Sequence, residues 1–117
     1  MTFLSKCKTG THPIGVCVNI ESSLSAHLIA NAGFDWVLLD MEHTPLSARE
    51  ATSMVHAVAV GSHGKCSSLV RIPAAGVEWV KWALDSGSDG VVVGSQLIAV
   101  MRTSTELEAG SNGSEQR

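Results

Sequence analysis

The strongest constraint on this chain is a unit that recurs between residues 14 and 93: a short aliphatic run, a turn, then a helical stretch closed by glycine. The runs are Ile14 to Val18 (IGVCV), Trp36 to Leu39 (WVLL), Ser68 to Val70 (SLV) and Val91 to Val93 (VVV). None alternates polar with apolar residues, so each reads as a strand buried on both faces, and each is too short for a buried helix. Between them, Leu24, Leu28, Ile29 and Ala32 share one face of a helix predicted over 23–32, with Gly33 as its C-terminal stop. Ala51, Met54, Val55 and Val58 mark a second helix, ended by Gly61. Ser47 and Glu50 ahead of it have the spacing of a capping box. Val77, Val80 and Leu84 mark a third, ended by Gly87. Parallel neighbours need a long return connection, so three successive crossovers of this kind predict a parallel α/β sheet.

After Val93 the unit stops. Leu97 to Met101 is one more apolar patch of undecided state, and from Arg102 onward there is a single Leu and no aromatic residue. Such a segment buries too little surface to offset its ordering entropy, so 94–117 is expected to be a divergent, disordered tail. The rest is core-forming, with 44% hydrophobic and 16% charged residues. A net charge of -3 provides no basic field for nucleic acid or an anionic membrane, so neither is an expected partner. No apolar run approaches the ~20 residues of a membrane span. Lys6 and Lys8 precede no apolar stretch of a secretory signal. Cys7, Cys17 and Cys66 are odd in number and lack zinc or redox spacing, so free thiols in a reducing cytoplasm are expected. Phosphate-binding and dinucleotide roles lack their glycine fingerprints.

In parallel α/β folds the working residues lie at the carboxyl ends of the strands. Asp40, Glu42 and His43 follow the second run, and Arg71 ends the third. An imidazole is the natural proton acceptor near neutral pH, and a fixed guanidinium can clamp a carboxylate or a developing oxyanion. Together they suggest proton abstraction beside a carbonyl on a small anionic substrate. An Asp after a strand also serves as a turn or helix cap, and an Arg at a strand end as a surface ion-pair partner. His12, His27, His56 and His63 have no metal-ligand spacing, and Trp79 and Trp82 read as packing or interface residues.

Residues 33–45 (GFDWVLLDMEHTP) resemble the signature of the metal-dependent pyruvate aldolases of the hydroxy-heptenedioate aldolase/citrate lyase family. Residues 69–73 (LVRIP) and 83–93 (ALDSGSDGVVV) resemble that family's third strand and its entry to the fourth. The resemblance covers 12–93. It implies the N-terminal half of a TIM-barrel aldolase domain, about the first four of eight (β/α) units, a partial barrel. It further implies cleavage of a 4-hydroxy-2-oxo acid to pyruvate and an aldehyde, with a divalent metal (Mg²⁺, Mn²⁺ or Co²⁺) and a homo-oligomer or full-length sister subunit as partner. By the same resemblance His43 is the acid/base residue, Arg71 stabilises the enolate oxygen, Asp40 orients the neighbouring shell and Glu42 shapes the loop. Asp85 matches the family's partner for the catalytic His and is expected to reach it across a subunit interface. No residue here matches the family's metal ligands. Glu106 and Glu108 are the remaining carboxylates to consider, and the alternative is a half-barrel without catalysis that acts only through subunit association or has no selected role.

Overall fold

The computed structural model describes residues 3–99. Glu106, Glu108 and the rest of the expected tail from residue 100 lie outside them. Among the described residues the elements are α1 (Phe3–Lys8), β1 (Gly15–Val18), α2 (Ser23–Asn31), β2 (Trp36–Asp40), α3 (Ala48–Gly61), β3 (Ser67–Arg71), α4 (Val77–Asp85), β4 (Gly90–Val93) and β5 (Gln96–Ala99). They build one sheet in the order β1-β2-β3-β4-β5. The first four strands are parallel, as three right-length crossovers require, and form a partial barrel.

Strand side chains divide between two faces. Val18, Val37, Leu39, Val70 and Val91 point to the helices and meet Ala26, Ala30, Met54, Val55 and Val58 in the main core. Leu38, Leu69 and Val92 point the other way, where Phe3 of α1 covers them beside Trp36. Helix α1 has no counterpart in the sequence expectations. Lys6 pairs with Asp35 and Phe3 is buried, so a charge and a ring both tie the helix to the sheet. Trp36 lies across Gly15 so closely that any Cβ there would overlap the indole.

Two aspartates clamp the amino ends of the strands. Asp35 N donates to Ile14 O while Ile14 N donates to Asp35 Oδ2, both at 2.8 Å. Asp89 does the same with Ser68, at 2.8 and 2.9 Å. Each clamp fixes the register that brings the far ends of the strands level.

Several local expectations are corrected. The buried residues of α2 are Ala26 and Ala30, whereas Leu24 and Leu28 are 69% and 59% exposed. Close approach of α2 to α3 is the reason. Gly61 sits against the His27 backbone, and only small residues fit the seam. Ser22 caps α2, accepting from Ser25 N at 3.0 Å. No capping box forms at α3: Ser47 is the N-cap but makes no side-chain cap hydrogen bond. Glu50 instead faces Glu21, whose carboxyl is pushed up by hydrogen bonding and like charge from Glu50. On α4 the fully buried residue is Ala83, and Val77 is exposed. Finally, 96–99 is not disordered. A two-residue turn with Gly94 at φ 59 sends β5 back antiparallel to β4.

Candidate active site at the carboxyl ends of β2 and β3

Strand register alone places Asp40 beside Arg71, the last pair of the β2–β3 ladder. Both lie on the same face as Leu38 and Leu69, away from the helices, two residues nearer the carboxyl edge. The chain then turns at once. Met41 N donates to Arg71 O at 2.9 Å, while the Asp40 side chain folds back over the turn. Its Oδ1 accepts from Glu42 N at 2.8 Å and His43 N at 3.1 Å, an Asx-type turn that fixes the loop backbone. Thr44 Oγ1 donates to Asp40 O and accepts from Leu46 N at 3.3 Å, locking the other side. Thr44 was not among the expected site residues. A Thr four positions after the last strand residue, able to donate back to that residue's carbonyl, is the local signal for this latch.

The loop gathers four ionisable groups. His43 Nδ1 lies 3.3 Å from Asp40 Oδ2, and His43 Nε2 lies 3.4 Å from Glu42 Oε1. Arg71 Nε lies 3.5 Å from Asp40 Oδ1 without a hydrogen bond, and Arg71 Nη1 lies 3.7 Å from Glu42 Oε1. Exposure grades across the cluster: the side chain of Asp40 is 7% exposed, Arg71 22%, Glu42 31% and His43 65%. A buried carboxylate thus holds the shared base of the cluster, while the imidazole stands toward solvent. The arrangement orients a proton acceptor and sets one cation beside it.

Burial pushes the Asp40 carboxyl up, but the N–H groups of His43 and Glu42, the His43 ring and the Arg71 charge outweigh it and hold it below the usual carboxylate range. Its folded value therefore lies below the ~3.9 of an unfolded chain. The stability it contributes is complete above that value and is lost as pH falls through the folded one. Asp40→Asn is expected to lower the urea midpoint at pH 7, by a gap that narrows as pH falls. Urea titrations between pH 2.5 and 7 check this, and a constant gap between the two proteins over that range contradicts it.

Asp85 does not join the cluster. It is exposed at the last residue of α4, and helices here run opposite to the strands, so it lies at the other end of the sheet. His12, His27, His56 and His63 also lie outside the cluster. Glu21 and Glu50 line a separate cleft of about 380 Å³ with Ser22, Ser23 and Arg49. The divalent metal that the family resemblance implies does not fit the described residues, among which no three His, Cys, Asp or Glu side chains converge on one point. The Asp40 oxygens are already engaged by backbone, imidazole and guanidinium.

A parallel (β/α) sheet with its ionisable residues gathered on the carboxyl side of the strands is the arrangement found in α/β folds, the (β/α) barrels among them. The chain belongs to the HpcH/HpaI aldolase/citrate lyase family, whose model matches residues 14–100. It is 37% identical over 79 residues to the hydroxypyruvate/pyruvate aldolase of Paraburkholderia phytofirmans, covering 67% of this chain and 30% of that one. It is 32% identical over 92 residues to the 4-hydroxy-2-oxovalerate aldolase of Rhodococcus jostii, covering 79% and 35%. Among solved structures, a HpcH/HpaI aldolase from Desulfitobacterium hafniense superposes with a TM-score of 0.68 at 28% identity, over 80% of this chain and 35% of that one. An aldolase/citrate lyase family protein from Burkholderia cenocepacia gives 0.63 at 36% identity, over 68% and 31%. The chain spans about a third of the length of the relatives it matches. Among the described residues no helix is long and apolar enough to cross a membrane.

Proposed function

We propose that this chain carries the acid–base and anion-holding side of a carbon–carbon lyase site that cleaves a 4-hydroxy-2-oxo acid to pyruvate and an aldehyde. The observation that carries the reading is the Asp40–His43–Arg71 cluster at the carboxyl ends of adjacent strands. In the cleavage direction His43 takes the proton of the 4-hydroxyl through Nε2 while Asp40 holds Nδ1. The C3–C4 bond breaks and the aldehyde leaves. The bonding pair forms the C2–C3 double bond with charge on the C2 oxygen, and the protonated His43 then returns its proton to C3 to give pyruvate. Arg71 offsets the charge on that oxygen and on the neighbouring carboxylate. Asp85, far from His43 of its own chain, acts on His43 of a second copy across a subunit contact. The carboxylates of a metal site come from outside residues 3–99.

The lack of a metal-ligand group among the described residues favours a second reading, a half-barrel that associates with other subunits without catalysis. Deuterium exchange into the methyl group of pyruvate separates the two, because it needs the base and the oxyanion partner but no knowledge of the aldehyde. Exchange by the folded chain above buffer, with and without added Mg²⁺, is the expected result. A folded sample that exchanges no faster than buffer plus metal removes the enzymatic reading and leaves the second.

A further inference from the structure

Glu42 sets a carboxylate between Arg71 and His43. Its Oε1 lies 3.7 Å from Arg71 Nη1 and 3.4 Å from His43 Nε2, so one oxygen sits between the guanidinium and the ring nitrogen that Asp40 leaves free. Asp40 is buried and held by two backbone N–H groups, whereas the Glu42 side chain is 31% exposed and both of these contacts exceed 3.3 Å. Its backbone is anchored separately, through the 2.8 Å bond from Glu42 N to Asp40 Oδ1. The carboxylate can therefore swing out while the loop stays in place.

We infer that Glu42 is an internal occupant of the anion site, displaced when a 2-oxo acid brings its own carboxylate to Arg71. The inference rests on the proposed roles of Arg71 and His43. An ion pair this exposed is weak, so exchanging one carboxylate for another costs little. A neutral ketone replaces no charge and leaves Glu42 where it is. Competition from Glu42 thereby lowers the affinity of Arg71 for carboxylate-bearing carbonyl compounds and leaves that for uncharged ones unchanged.

The test is a titration of the 117-residue chain with pyruvate, and with acetone as its neutral counterpart, followed by the His43 ring proton signals. Glu42→Gln is expected to bind pyruvate about three- to five-fold tighter, the scale of a part-exposed ion pair, with no gain for acetone. Arg71→Ala is expected to abolish saturable pyruvate binding. A purely structural role for Glu42 predicts weaker binding on substitution, so the direction itself discriminates. Glu42→Ala, with circular dichroism as a check on folding, is expected to move the same way. Unchanged, weaker or absent pyruvate binding in folded Glu42→Gln overturns the inference. If Arg71→Ala loses binding in the same series, only the internal-occupant role falls. If Arg71→Ala binds as wild type does, the anion site falls with it.

Discussion

Gly61→Val is expected to destabilise the chain by about 3 kcal/mol or more, the upper end of overpacking costs, and to leave little folded protein in dilute urea. A Cβ at Gly61 would overlap the His27 carbonyl oxygen and lie 3.0 Å from His27 Cα. Both obstacles are backbone, so no rotamer change relieves them. Helices α2 and α3 would have to separate, which opens the seam where Ala26 and Ala30 meet Met54, Val55 and Val58. Gly64→Ala is the control. That position has φ +77 and open space around a Cβ, so its cost is left-handed backbone strain, about 1–2 kcal/mol. Urea midpoints of the three proteins decide the matter. If Gly61→Val and Gly64→Ala unfold together, the close α2–α3 seam is wrong.

The second large effect is on chemistry. His43→Ala is expected to reduce pyruvate methyl exchange by about 100- to 10,000-fold, the usual contribution of a positioned general base. His56→Ala, on the exposed side of α3, is expected to exchange at the wild-type rate. Stability should barely respond to the first substitution, since the His43 side chain is 65% exposed and its backbone N–H remains to bond Asp40. Proton NMR of the pyruvate methyl signal measures both. Exchange that survives in His43→Ala means another group takes the proton.

Much of the fold is legible in the residues because the strands are buried on both faces. Runs such as WVLL have no other stable use, and their spacing leaves room for one helix each. The site follows from the same fact: Asp40 and Arg71 each end an apolar run, and matching register brings them together. Hydrophobicity misleads on α2, where it picks the larger Leu24 and Leu28. Backbone proximity to α3 admits only Ala26 and Ala30, and that proximity is a tertiary fact no helical period encodes. The Ser47–Glu50 spacing forms no capping box, and Glu50 lies instead beside Glu21 on the loop after β1. Helix α1 is six residues long, too short to show a period, and Phe3 and Lys6 are among the residues that hold it. Strand β5 escapes because its partner β4 reads as the end of a parallel series, and only Gly94 hints at a reversal.

The strand order has a consequence for how the protein is made. Every strand pairs with its neighbour in sequence, so each can dock as soon as it leaves the ribosome, and no ladder waits for a distant segment. Phe3 is the exception. Its ring seats against Leu38, Leu69 and Val92, the last of which lies nearly ninety residues further along the chain. Asp35, Trp36 and Leu38 become available to Lys6 and Phe3 once β2 has emerged, and the cluster around Phe3 is complete only when Val92 of β4 joins it.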